Sequence, residues 1–194
     1  MSDAESPFLM SILETYPNKH KRGGLWIEGQ ALRGKIKVGE AIEIVGFSSQ
    51  PLLSKVIMFD PSSRKPSLVD VGRIKILIED IDVSLSGTGR VLAHPQTISA
   101  HDRCQAKIEV LSPEKGGRTK PLFSGYRPQF YIYETNFACE VTFPEEINSV
   151  PPGWVGSVDI IIEHKVALEA GSRFELREGA KVSVHGEVQS ISDY

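Results

Sequence analysis

Hydrophobic and polar residues alternate with a period of two along most of this chain, and helical periodicity is nearly absent. From Gln105 to Leu111, Ala106, Ile108 and Val110 fall on one face and Lys107 and Glu109 on the other. Arg173 to Glu178 sets Phe174 and Leu176 against Glu175 and Arg177, and Lys181 to His185 repeats the pattern with Val182 and Val184. Ala41–Val45, Arg73–Ile78 and Val158–Glu163 are further strand candidates. Gly, Pro, Asn and Ser punctuate these runs, with 17 glycines and 12 prolines in all. Many short strands separated by such breaks predict an all-β protein built as a sandwich or barrels.

The breaks also predict two domains. A boundary falls near Ala93–Ser99 and separates two runs of about six strands, each long enough for one small barrel. Closure is the expected solution, because an open sheet edge pairs with other chains. The expected domains are residues 7–95 and 98–191. A length of 194 residues fits one or two domains of ordinary size.

Composition narrows the class without naming a task. With 40 % hydrophobic and 24 % charged residues the chain is globular, not disordered. It has no uncharged apolar run long enough for a membrane helix. The acidic start Met1-Ser2-Asp3-Ala4-Glu5-Ser6 does not read as a signal peptide, so a cytoplasmic location is expected. Net charge is −3. Before Pro95 there are 12 basic and 11 acidic residues; from Pro95 onward there are 10 and 14. Non-specific nucleic-acid binding relies on a basic excess, so RNA contact would need a local patch. Cys104 and Cys139 belong to no metal or redox motif and read as reduced thiols in half-buried strands. The five histidines form no HxH or HExxH pair, no nucleophile elbow occurs, and Glu145-Glu146 after Pro144 reads as a turn. No metal, cofactor or catalytic residue is expected.

Several longer stretches are more specific. Pro7-Phe8-Leu9-Met10 opens the first run, Arg33–Glu40 leads into Ile42–Gly46, and Gly89–Ala93 closes it. The second run holds Gly116-Gly117-Arg118, then Phe123–Tyr131, and ends with Leu168–Gly179. In this order and spacing they closely resemble the second and third domains of bacterial elongation factor Tu, over about residues 7 to 191. The resemblance implies two consecutive antiparallel β-barrels. The family's GTPase domain has no counterpart in these residues. No GxxxxGK[ST] loop occurs, and Asn18-Lys19-His20-Lys21 lacks the acidic fourth residue of a guanine-reading motif. The expectation is a chain without GTPase machinery, with a solvated basic hairpin tip at residues 18–22. Lys19–Trp26 combines basic and aromatic residues, which suits RNA or an anionic surface; a solvated hairpin with Trp26 in the core is the competing assignment.

The resemblance also implies two surfaces. In the family, the second domain grips the aminoacyl end and the 5′ end of transfer RNA. The matching positions here are Leu13, Glu14 and Tyr16, where a carboxylate pair has become one and an aromatic wall is kept; Phe59, an aromatic that can still stack; Asp60 in place of an Arg; Arg73 in place of an Asn; and Glu79 in place of the Arg that meets the 5′ phosphate. Two charge reversals at about 1–3 kcal/mol each imply a loss of two or more decades of affinity. The pocket is therefore expected to be degenerate. The family's third domain touches the acceptor and T stems and docks the GTPase domain. Arg118, Gln129, Lys165, Arg177 and Gly179 match its RNA-contact positions, with departures at Thr119 and Ala138. Tyr126, Arg127 and Gln129 match its docking positions, whereas Phe130 is expected in the core. Arg177 and Glu178 are equally open to an assignment as cross-strand charges. The implied function is non-catalytic binding of a protein or ribonucleoprotein partner connected to translation. That partner would be a GTPase supplied in trans or a factor that binds elongation factor Tu. The alternatives are a transfer-RNA-binding module of altered selectivity and a mimic that competes with full-length elongation factor Tu.

Overall fold

The alternating runs become β-strands in the computed structural model, which describes residues 6–19, 23–47, 50–61, 72–79, 81 and 88–191. His20, Lys21, Arg22, Asp80 and Asp82 lie outside the described residues. The chain divides into two units, residues 1–99 and 100–194. No described helix is long and apolar enough to cross a membrane.

The first unit holds β1 (Leu9–Pro17), β2 (Leu25–Arg33), β3 (Ala41–Val45), β4 (Leu52–Phe59), β5 (Gly72–Ile78) and β6 (Val91–Ala93). They form a closed barrel in the order β1-β2-β5-β4-β3-β6, with β6 returning to β1. Inward positions supply the core, including Phe8, Met10, Ile12, Leu25, Ile27, Ile42, Ile44, Ile76 and Ile78. At Gly29 on β2 a Cβ would stand 2.1 Å from the Ser11 carbonyl oxygen, so only glycine lets β1 cross this closely. The register shifts at this crossing, between Ile12 and Glu14 of β1, and Leu13 is left without a cross-strand partner.

The seam between β1 and β6 is extended by His94. Its backbone N–H donates to the Phe8 carbonyl at 3.2 Å, and its Nδ1 accepts the Phe8 N–H at 3.0 Å. The ring's Nε2 then carries the proton and faces Glu40 Oε2 at 3.4 Å. Nearby, the Gln96 N–H donates to Glu43, whose side chain is buried at 2 % exposure. Burial pushes the Glu43 carboxyl pKa up, opposed by the Gln96 hydrogen bond.

The second unit holds β7 (Ser99–Val110), β8 (Leu122–Phe123), β9 (Gln129–Ile132), β10 (Thr135–Thr142), β11 (Ser149–Val150), β12 (Val155–Leu168), β13 (Arg173–Glu178) and β14 (Lys181–Ile191). Six of them close a second antiparallel barrel, β10-β12-β7-β14-β13-β9, and β8 pairs with β11 as a separate two-stranded sheet. Phe130, expected in the core, is fully buried and stacks on Phe174 at 4.4 Å. The Phe174 ring occupies the space over Gly186 that a Cβ would need, 2.2 Å from its position. Glu145-Glu146 lies in a turn, closed by the Ile147 N–H on the Pro144 carbonyl. Cys104 and Cys139 are free thiols, more deeply buried than expected at 2 % and 7 % exposure. Burial, the larger cause for each, pushes both pKa values up to about 12.

Two outcomes follow from the first barrel's seam. His94→Leu leaves the buried Phe8 N–H without an acceptor and is expected to lower stability by about 1–2 kcal/mol in urea melts. His94→Asn, which keeps an acceptor at the Nδ1 position, is expected to recover most of that loss. Because the Glu43 pKa is raised, the folded chain holds a proton that the unfolded chain has lost, so this group's contribution to stability falls as pH rises between the two pKa values. Glu43→Gln is therefore expected to raise Tm near pH 7, with the gain vanishing below about pH 4.

Candidate interaction surfaces

Apart from Phe59, the first barrel's candidate positions lie on or near the outer face of β1, β2 and β5. Cross-strand register sets Tyr16 directly opposite Trp26, Glu14 opposite Glu28, Glu28 opposite Lys75, and Gln30 opposite Arg73. Trp26 is thus an outward, half-buried residue and not a core one, because the inward positions of β2 are Leu25, Ile27, Gly29 and Ala31. The hairpin below it is closed by Asn18, whose N–H donates to the Gly24 carbonyl at 2.9 Å and whose Nδ2 donates to the Gly23 carbonyl at 2.8 Å.

Lys75, a residue the sequence did not single out, organises this face. Its Nζ stands 4.7 Å from the Tyr16 ring centroid and 4.9 Å from that of Trp26. Asp60 Oδ2 is 3.9 Å away. A hydrogen bond to Tyr16 is the largest cause holding the Lys75 pKa above its ordinary value, with Asp60 and Glu28 adding to it. The ammonium therefore sits between the two rings, in the place a cationic guest would take. Register counted back from the Asn18–Gly24 hairpin was the one available sequence clue, since it pairs Tyr16 with Trp26.

Phe59 does not form the expected stacking wall. It is 6 % exposed and belongs to the first core. The cause is a bulge in β4: Val56 pairs with Ile78 and Met58 with Leu77, so Ile57 is an extra residue and the alternation inverts after it. Phe59 turns inward beside Ile76, and Asp60 follows on the outside. Asp60 is half-buried and ion-paired with Lys75, so its reversed charge is compensated within the chain. Arg73 faces Glu28 at 3.4 Å. Leu13 is half-buried, and Glu14 and Glu79 are exposed. Tyr16, Asp60 and Arg73 thus share one surface whose charges are matched internally, while Phe59 is withdrawn from it.

On the second barrel, Arg177 of β13 pairs in register with Gln129 of β9, and Gln129 with Ala138 of β10. The guanidinium of Arg177 lies 3.3 Å from the Tyr131 ring centroid and bonds Glu175 through Nη2 at 2.6 Å and Nε at 2.7 Å. Arg118 is ion-paired with Glu178 and lies over Tyr126 at 5.4 Å. The Tyr126 hydroxyl donates to the same Glu178 oxygen at 2.7 Å. Arg127 pairs with Glu140 at 2.7 Å, and its side chain is 78 % exposed. Tyr126 is half-buried, unlike the exposed Arg127 and Gln129. Gly179 is exposed with φ of 61° and open space where a Cβ would stand. Lys165 is half-buried on β12, past the Asp159–Ile162 stretch that pairs with β10. The structure thus joins Arg118 to Tyr126, and Arg177 to Gln129, and it gives each of the three arginines a carboxylate. Among the described residues no group of three or more His, Cys, Asp or Glu is placed to hold a metal ion.

Lys75→Ala removes the ammonium between two rings and leaves Asp60 and Glu28 without it. At about 0.5–1 kcal/mol for each half-exposed cation–π contact, a loss of roughly 1–2 kcal/mol is expected by thermal melting, with a change in Trp26 fluorescence.

The order of the two barrels fits the second and third domains of elongation factor Tu. Residues 97–192 match the protein family described as Elongation factor Tu C-terminal domain. That span contains β7 to β14, so the match covers the whole of the second barrel.

Proposed function

We propose that the chain is a non-catalytic, translation-factor-like binding module of the cytoplasm that docks a protein or ribonucleoprotein partner through its second barrel. The partner is a GTPase supplied in trans or a factor that binds elongation factor Tu. The observation that carries this reading is that Arg118, Arg127 and Arg177 are each held by an ion pair, with Tyr126 and Gln129 beside them in sequence or register, in the barrel that the family model matches. Aromatic rings and arginines whose conformations are already fixed lose little entropy on docking, which is the composition of an interaction hot spot. The internal charge matching of the first barrel's outer face supports loss of aminoacyl-end recognition: Asp60 and Glu28 already engage Lys75 and Arg73. A transfer-RNA-binding module of altered selectivity would need Phe59 and Tyr16 to sandwich a ligand, and the burial of Phe59 speaks against it.

Affinity capture from cell extract, with and without nuclease, tests the reading. Tyr126→Ala with Arg127→Glu is expected to weaken a nuclease-resistant partner by about tenfold or more, with thermal melts confirming that the barrel still folds. Retention of every partner by the folded double variant overturns it. Competition with full-length elongation factor Tu for the captured factor would identify the chain as a mimic.

A further inference from the structure

The first barrel closes through the short strand β6, and the residue that extends this closure is titratable. His94 binds the Phe8 backbone twice, giving its own N–H to the carbonyl at 3.2 Å and accepting the Phe8 N–H on Nδ1 at 3.0 Å. The second bond needs a lone pair on Nδ1, which only the neutral ring can offer there. On the other side of the ring, Nε2 stands 3.4 Å from Glu40 Oε2, an oxygen that also accepts the Lys37 N–H at 2.9 Å. The His94 and Glu40 side chains are 29 % and 37 % exposed, so protons reach both. Phe8 has no exposed surface, and its ring meets the His94 ring edge-on at 6.1 Å. Beyond His94 the chain turns, with the Thr97 hydroxyl on the His94 carbonyl at 2.7 Å and the Gln96 N–H on Glu43 at 3.1 Å.

We propose that His94 is a proton-operated latch on the β1–β6 seam, closed while its ring is neutral and open once the ring is charged. A proton added to Nδ1 turns an acceptor into a donor. That donor points at the Phe8 N–H, itself a donor, so the bond is lost and the two hydrogens repel. The same proton gives the ring a charge that the Glu40 carboxylate attracts. The cation therefore turns away from Phe8 and stays with Glu40, exchanging a backbone partner for a carboxylate. Three charged groups are bonded into this corner among the described residues. They are Glu40 before β3, Glu43 on β3, and Arg33 at the end of β2, whose Nε donates to the Pro7 carbonyl at 3.1 Å. Glu40 and Glu43 favour a charged ring and Arg33 disfavours it. Histidine changes charge between about pH 5 and 8, so the latch turns over within that range. With the latch open, the Phe8 N–H has lost its acceptor and the seam relies on the three residues of β6.

The test uses the full chain and two NMR readouts. At about pH 8 the His94 ring nitrogens are expected to show Nδ1 bare and Nε2 protonated. A neutral ring with its proton on Nδ1 overturns the proposal outright. Amide exchange, corrected for its intrinsic pH dependence, is the second readout. Protection of the Phe8 N–H is expected to fall about tenfold or more between about pH 8 and about pH 5.5. The Asp60 N–H, which bonds the Lys75 carbonyl at 3.0 Å on the opposite side of the barrel, is expected to change less than about threefold. His94→Asn offers an acceptor that no proton alters in this range and is expected to hold Phe8 protection level across it. Glu40→Gln removes the charge that holds the imidazolium and is expected to move the transition to lower pH. Glu43→Gln is expected to keep the transition, since the Glu43 bond is to Gln96. The proposal is overturned if the Asp60 N–H loses protection equally or if the transition persists in His94→Asn. It is also overturned if the transition vanishes in Glu43→Gln, or fails to move to lower pH in Glu40→Gln. Should His94→Asn not fold, the ring nitrogens of the unaltered chain and the Glu40→Gln transition decide the matter.

Discussion

Each half of this molecule depends on bringing its last strand back to its first. An open sheet of alternating residues leaves a row of backbone donors and acceptors without partners, and closure gives every strand two neighbours. In the first barrel the closing strand is short, only Val91–Ala93 against β1, and His94 lengthens the seam by binding the Phe8 backbone from both its main chain and its ring. In the second, β14 returns to β7, pairing from Val184 against Val110 to Ile191 against Cys104. Closure also fixes the rows of outward side chains, because register around a closed ring cannot slip in one strand alone. The candidate surfaces exist as surfaces only because those rows are fixed.

The period-two pattern made the strands and the all-β class legible, since inward residues such as Ala106, Ile108 and Val110 must be apolar whatever lies outside. Side-chain direction was legible only where the period is unbroken. At β4 one extra residue inverts it, and Phe59 exchanges the surface for the core. Trp26 went the other way, because its apolar size suggests burial while its parity places it beside Tyr16. Hairpin register could pair Tyr16 with Trp26 but not bring Lys75 to them: it lies about 50 residues or more from both rings along the chain, and only the β2–β5 register delivers it. Distant pairings of this kind are set by topology, which local pattern does not encode.

The charges tell a related story. Read singly along the chain, Asp60 looks like a reversal that repels phosphate, and Arg118 and Arg177 look like cations that attract it. Folding cancels much of both tendencies, since Lys75 meets Asp60 while Glu178 and Glu175 meet the arginines. At these positions charge is thus matched locally, pair by pair. Rings beneath the cations keep the pairs partly dry, and a partly dry pair is harder to exchange for a mobile ion than one in open water.

Cys104 and Cys139 stand in the second barrel's interior with their sulfur protons held far more tightly than in free cysteine. A thiolate is the reactive species, so neither sulfur meets an alkylating reagent while the strands around it stay joined. The rate at which such a reagent is consumed in native buffer then clocks how often that half of the molecule breathes open, using only atoms the chain already carries.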